Sequence, residues 1–228
     1  METLERGDIE NINFGGHNGR VTEVRGYQNY DITDNEIFAL NNPTAKRPWV
    51  DTKIKSEFFA KIFNELNPKT YIDFGSNLGY YVFWAAQNNV SSIGIDYNLE
   101  YISVCNAIKT RHSVDHATFV NTNLQNSLSC ITTKDFMTVF NVIHHLYNRT
   151  EKYMDMERLV EDFAQLAKDV LFEVPTENDP KGHKWTMDSG YTESLFVNSA
   201  EKIFTSVTCV PGQTEHRPYY LCRGSKLV

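Results

Sequence analysis

Three groups of side chains in this sequence have the types and spacing to do chemistry: Asp73 with the glycines at 75 and 79, Asp96, and the adjacent pair His144-His145. The stretch Asp73-Phe-Gly-Ser-Asn-Leu-Gly79 joins an apolar run (Tyr71, Ile72, Phe74) to a helix-compatible segment beginning at Tyr80. Glycines let the backbone turn sharply and approach a ligand, and a helix that follows presents free N–H groups to it. A second apolar run, Ser92-Ile-Gly-Ile-Asp96, ends in a carboxylate placed to accept from the two hydroxyls of a ribose. Asn77 stands where a dinucleotide-type fingerprint has its middle glycine, and Asn tolerates positive φ better than most residues. The spacing therefore describes a nucleoside-binding turn. A His with a near-neutral pKa can take a proton from an attacking hydroxyl, so His144-His145 adds a candidate general base.

Several strand ends must meet to position these groups. From Asp51, apolar residues at Ile54, Phe58, Phe59, Ile62, Phe63 and Leu66 share one helical face, and Asn67-Pro68 ends that helix. Strands are expected at 71–74, 92–96, 117–121, 136–141 and 169–174, alternating with helices at 79–88, 98–111 and 152–167. Met156, Leu159, Val160, Phe163 and Leu166 mark the buried face of the last of these. Such alternation predicts a doubly wound α/β fold, a parallel sheet with helices on both faces. Thr192 is a candidate cap for a final helix carrying Leu195, Phe196 and Ala200; 203–210 and 218–222 read as two closing strands. Residues 1–49, rich in Asn, Gly and charge, form an N-terminal arm or lid, and 50–228 one α/β domain.

Asp73-Phe-Gly-Ser-Asn-Leu-Gly79, the strand ending in Asp96, and Phe140-Asn-Val-Ile-His-His145 resemble the first, second and fourth motifs of class I S-adenosylmethionine-dependent methyltransferases, over about residues 50–223. The His pair, Phe172-Glu-Val174 and Arg217-Pro-Tyr-Tyr-Leu221 add a narrower likeness to glycan-modifying O-methyltransferases. These include the methyltransferase part of bacterial O-antigen chain terminators and modules of algal-virus glycan synthesis. The resemblance implies a seven-stranded, mostly parallel, Rossmann-like sheet with an antiparallel last strand. It implies S-adenosylmethionine as cofactor, S-adenosylhomocysteine as product, and a hydroxyl of a sugar or glycan as acceptor. Asp73 would orient the methionine part; Gly75, Ser76, Asn77 and Gly79 would line the cofactor turn; Asp96 would take the ribose hydroxyls. Tyr97 would cover the adenine edge, with Asn141 also on the cofactor side. The third motif departs from the pattern: Asn121-Thr-Asn123-Leu124 replaces the usual acidic residue, leaving the adenine amino group to Asn123 or the backbone of Leu124.

His145 is read as general base and His144 as substrate contact or second base. Glu173 sits in an apolar strand, where a carboxylate is costly to bury alone, and is expected to line the crevice. Lys184, Trp185, Arg217, and from the arm Tyr27 and Tyr30, are the candidate acceptor contacts. Structural alternatives stay open: Asp73 as a cap of the next helix, Asp96 as a solvated strand end, Asn123 as a turn former, the 177–185 segment and the arm as plain surface. His144, His145 and Glu173 could converge on a divalent ion, but no ligand spacing demands one and none is expected.

A chain of 228 residues with 41% hydrophobic residues can bury one sizeable core. A net charge of -7 argues against a broad phosphate-binding surface. An RNA- or tRNA-modifying methyltransferase and a non-catalytic binding module of the same fold are the alternative readings. Cys105, Cys130, Cys209 and Cys222 have neither zinc-site nor disulfide-framework spacing, which fits reduced thiols and a cytoplasmic protein. No apolar run approaches the length of a membrane span, so insertion is not expected. The chain is also compatible with being one domain of a larger glycan-synthesis protein.

Overall fold

A computed structural model describes residues 31–33, 36–39, 52–122, 131–149, 151–179, 190–210 and 216–228. In the arm, β1 (Asp31–Thr33) and β2 (Glu36–Ala39) pair antiparallel in a sheet of their own, a hairpin that no hydrophobic period announced. The helix α1 (Thr52–Leu66) then presents Phe59 and Phe63 to an aromatic cluster with Tyr71, Tyr81, Trp84 and Phe136. Phe59 lies 4.6 Å from Tyr81 and 5.7 Å from Tyr71, ring centre to ring centre.

The rest of the chain alternates as expected: β3 (Thr70–Phe74), α2 (Tyr80–Gln87), β4 (Ser91–Asp96), α3 (Leu99–His112), β5 (Ala117–Asn121), β6 (Lys134–Val139), α4 (Ile143–Leu146), α5 (Met156–Ala164), β7 (Ala167–Glu173), α6 (Glu193–Ile203), β8 (Phe204–Val210) and β9 (Tyr219–Ser225). The strands form one sheet in the order β5-β4-β3-β6-β7-β9-β8. The first five are mutually parallel, and β9 runs antiparallel to both its neighbours. This is the seven-stranded, doubly wound sheet that the sequence implied. The chain steps outward from β3 to β5, then returns to the other side of β3 with β6. That reversal leaves a crevice at the carboxyl ends of β3 and β6, where such sheets bind ligands.

Side chains alternate between two cores across the sheet. Ile72, Met137, Val139, Val170 and Phe172 face α5 and α6, while Tyr71, Phe136 and Leu171 face α1 and α2. Residues buried on both faces explain why these strands read as continuous apolar runs.

Two of the boundaries that differ from expectation have a local cause. The helix expected over 152–167 is a 3-10 turn, Glu151–Tyr153, followed by α5, because Asp155 accepts from Glu157 N at 3.0 Å and caps the helix there. The strand expected to reach 141 ends at Val139, and Asn141 leaves it in a left-handed conformation, φ 59°. Thr192 does cap α6, accepting from Leu195 N at 3.1 Å. Cys105, Cys209 and Cys222 are free thiols, and no helix among the described residues is long and apolar enough to cross a membrane.

Candidate functional site

The turn after β3 is bound to β4. Gly75 N and Ser76 N both donate to Ile95 O, at 2.8 and 3.0 Å. Gly75, Asn77 and Gly79 have φ of 79°, 50° and 77°, so the Asn in the middle position does take the left-handed conformation. Space is as restrictive as dihedral angle: a Cβ on Gly75 would lie 2.5 Å from Val142 Cγ2, and one on Gly79 2.5 Å from Phe119 Cε1. Gly79→Ala is expected to cost about 1–3 kcal/mol in urea unfolding, since strain and overlap act together. A loss within measurement error would mean that the turn relaxes freely.

Asp96, 7% exposed, accepts from Asn77 N through Oδ2 (2.8 Å) and from Asn98 N through Oδ1 (2.9 Å). Burial pushes its carboxyl above the usual range, against these N–H bonds. The carboxylate therefore faces the glycine turn rather than bulk water. On the same turn, Ser76 Oγ and Asn77 Oδ1 are buried with no hydrogen-bond partner among the described residues. Buried polar atoms are nearly always satisfied in folded proteins, so two orphans side by side are unusual. Tyr97, next along, is 79% exposed.

Asp73 lies opposite Gly94 and Thr138 in the sheet. Thr138 Oγ1 donates to Asp73 Oδ1 at 2.8 Å, and the Tyr71 hydroxyl closes on Thr138 in turn. Burial pushes Asp73 up to about 7, against the Thr138 hydrogen bond and the nearby Lys55 charge. Helix α2 is capped by Gly79, which removes the alternative of Asp73 as its cap.

A second polar chain links α1, the end of β7, Asn141 and Arg217. Lys55 Nζ, from α1, meets Glu173 Oε2 at 2.5 Å; the side chains are 5% and 8% exposed. The ammonium also lies 4.3 Å from the Phe140 ring centre. Glu173 Oε2 accepts from Asn141 Nδ2 at 2.9 Å, Asn141 Oδ1 accepts from Arg217 Nη1, and Arg217 Nε and Nη2 reach Asp179 Oδ2 at 2.7 and 2.6 Å. Glu173 was expected to line the crevice for want of a partner; Lys55 is that partner, and the carboxylate is committed to the interior. Breaking a buried pair of this kind from one side costs about 3–5 kcal/mol.

The His pair sits on α4, closed by His145 N donating to Val142 O at 2.8 Å. The two rings are 4.1 Å apart. His144 is buried and its Nδ1 has no partner among the described residues, whereas His145 is exposed. Burial lowers the pKa of His144 to about 3, helped by His145, Arg217 and Arg149. Burial lowers that of His145 too, with Arg149 and Arg217 adding to it. Glu173 is paired with Lys55 and Asn141, and no cluster of three or more His, Cys, Asp and Glu fit to hold a metal forms among the described residues.

Asp73 and His144 carry opposite linkage to pH. The Asp73 carboxyl holds its proton more tightly in the folded chain, so its contribution to stability falls as pH rises from 3.8 to about 7. His144 holds its proton less tightly when folded, so its contribution falls as pH drops from 6.5 toward about 3. Where the windows overlap the two slopes cancel. Asp73→Asn, whose Oδ1 can still accept from Thr138, should unmask a loss of about 1 kcal/mol per pH unit on acidification, relative to the parent. His144→Gln should unmask the opposite slope. Urea unfolding across pH 4–7 reads both, and two variants that keep the parent's pH profile would contradict the linkage.

The structure thus brings Asp73 at the end of β3 and Asp96 at the end of β4 to the turn that carries Gly75, Ser76, Asn77 and Gly79, and brings Arg217 to Asn141, His144 and His145 after β6. Tyr27, Tyr30, Asn123, Leu124, Lys184 and Trp185 lie outside the described residues. Lys55, Thr138 and Asp179 belong to the site's supports and were not anticipated from sequence.

Comparison with family models and with curated proteins gives no match. Solved structures do match. The bifunctional kinase-methyltransferase WbdD superposes with a TM-score of 0.61 at 18% identity, over 82% of this chain and 40% of that one. A protein of Nostoc punctiforme PCC 73102 assigned as an O-methyltransferase gives 0.56 at 16% identity, over 75% and 56%. The methyltransferase domain of bacterial CtHen1-C gives 0.56 at 15% identity, over 76% of this chain and 99% of that one. This chain spans about two fifths of the length of the WbdD chains it matches. At these identities what is shared with these structures is the fold.

Proposed function

We propose that the chain transfers a methyl group from S-adenosylmethionine to a hydroxyl of a sugar or glycan. The observation that carries this reading is a pairing at one end of the sheet: a turn with orphaned buried polar atoms, and an exposed imidazole on the neighbouring strand's exit. The turn's donor set fits the cofactor. Each Asp96 oxygen retains a lone pair for a ribose hydroxyl beyond its backbone bond, Ser76 Oγ and Asn77 Oδ1 await partners, and ionised Asp73 suits an ammonium. When bound, S-adenosylmethionine supplies an electrophilic methyl group on a positively charged sulfur. The acceptor hydroxyl loses its proton as it attacks, and a ring nitrogen of neutral His145 is the group to receive it. His144, buried against it, fixes where that ring stands. Much of the acceleration would come from alignment in a crevice poor in water.

The acceptor class rests on the narrower motif likeness, above all Phe172-Glu-Val174 and Arg217-Pro-Tyr-Tyr-Leu221. The reading places the chain in the cytoplasm as one domain of a larger glycan-synthesis protein. Two measurements test it. Calorimetry is expected to show S-adenosylmethionine and S-adenosylhomocysteine binding in the micromolar range; no heat at millimolar ligand would leave a non-catalytic module. Mass spectrometry after incubation with methyl-labelled cofactor and a panel of glycans, sugar nucleotides and RNAs is expected to find label on carbohydrate. Label confined to RNA would transfer the enzyme to nucleic-acid modification.

A further inference from the structure

Asn141 is held at both ends of its amide: Nδ2 donates to Glu173 and Oδ1 accepts from Arg217. Only one orientation satisfies both neighbours. The reverse would set oxygen against carboxylate and NH₂ against guanidinium, two repulsive contacts. This selection depends on Glu173 Oε2 staying in place as an acceptor. A carboxylate 6% exposed is costly to bury without a counter-charge and would be drawn from this place if left alone. The amide would lose its acceptor and be free to turn, and the guanidinium would be left to Asp179 alone. The counter-charge is the ammonium of Lys55, itself 4% exposed and lying over the rings of Phe140 and Tyr219.

We propose that Lys55 is a positioning residue for the acceptor side of the site: through Glu173 it fixes the Asn141 amide, and through Asn141 it joins Asp179 in holding Arg217 beside the two imidazoles. Asn141 is well placed for this. It sits in the left-handed conformation one residue before Val142, the N-terminal cap of α4 and the side chain nearest Gly75 of the cofactor turn. Asp73, Tyr81 and Tyr219 are the other titratable groups close to the pair, and Arg149 joins Arg217 and His144 around His145. The catalytic consequence rests on the methyltransferase reading, but the arrangement can be tested without turnover.

The experiment is side-chain NMR on the full chain, following the His145 ring titration and the Asn141 side-chain amide. In Lys55→Met, Arg217 keeps Asp179 but loses the Asn141 oxygen that holds it toward the imidazoles, so the His145 midpoint rises toward the 6.5 of a free imidazole and the Asn141 amide protons lose their protection from exchange. In Lys55→Met/Glu173→Gln, the Gln carbonyl offers Asn141 the same acceptor without a charge, and both signals return to the parent's. An unshifted His145 midpoint in Lys55→Met would overturn the proposal, as would a double variant that titrates like Lys55→Met. Should Lys55→Met fail to fold, the double variant decides on the same criterion. Calorimetry of the unmodified chain with S-adenosylmethionine is read separately: absence of binding there counts against the proposed function and leaves the Lys55 result standing.

Discussion

Asp96→Ala is expected to weaken S-adenosylmethionine binding by about 10²–10⁴-fold, because two charge-assisted hydrogen bonds at about 1.5–3 kcal/mol each are lost together. The same carboxylate fastens the turn, accepting from Asn77 N and Asn98 N, so part of the loss is structural. Asp96→Asn separates the two roles. Its single oxygen can keep one backbone N–H, but its NH₂ must face the other, donor against donor, and it offers a ribose at most one acceptor. Binding in Asp96→Asn should therefore fall nearly as far as in the alanine variant, while stability in urea falls about 1–2 kcal/mol in either. Calorimetry and unfolding on the same samples distinguish the outcomes. Unchanged affinity in Asp96→Asn would place the nucleoside elsewhere.

What the sequence disclosed was local. The glycine turn, the alternating elements and the Thr192 cap each depend on residues a few positions apart, and their physics is complete within a short window. The supports of the site are not local. Lys55 and Glu173 are 118 positions apart, and Arg217 and Asp179 are 38 apart, so nothing in either neighbourhood names the partner. A signal was nonetheless present. Lys55 precedes Phe59 by one helical turn and Ile62 by two, which puts a cation on the apolar face of α1, while Glu173 puts an anion inside the apolar run of β7. Two opposite charges, each in a place that penalises it alone, are candidates to solve each other's desolvation. Thr138 gave a similar hint as the polar residue within Phe136–Phe140, and it proved to be the donor to Asp73. The early end of β6 had no such signal. It follows from Asn141 turning left-handed, which its two long-range hydrogen bonds hold in place.

His145→Ala is expected to slow methyl transfer by about 10²–10⁴-fold, the usual worth of a positioned general base, while cofactor affinity stays unchanged. His144→Ala should behave differently. Its ring is buried, so the first casualty is stability, and turnover falls only as far as its neighbour's ring loses a packing surface. The pH profile supplies an independent check. Burial first, then Arg149 and Arg217, hold the His145 pKa below 6.5. Only the neutral ring can accept the acceptor's proton, so the rate at saturating substrates should hold through neutrality and fall as pH drops through a midpoint below 6.5. Arg217→Ala withdraws one of the charges responsible, and the acid limb should then move upward. An acid limb that survives in His145→Ala, or that ignores the loss of Arg217, would hand the proton to another group. Asp73, poised at about 7 on the cofactor side, is the first to suspect, and the signs tell them apart: its ionisation would change cofactor affinity, whereas that of His145 changes the rate once cofactor is bound.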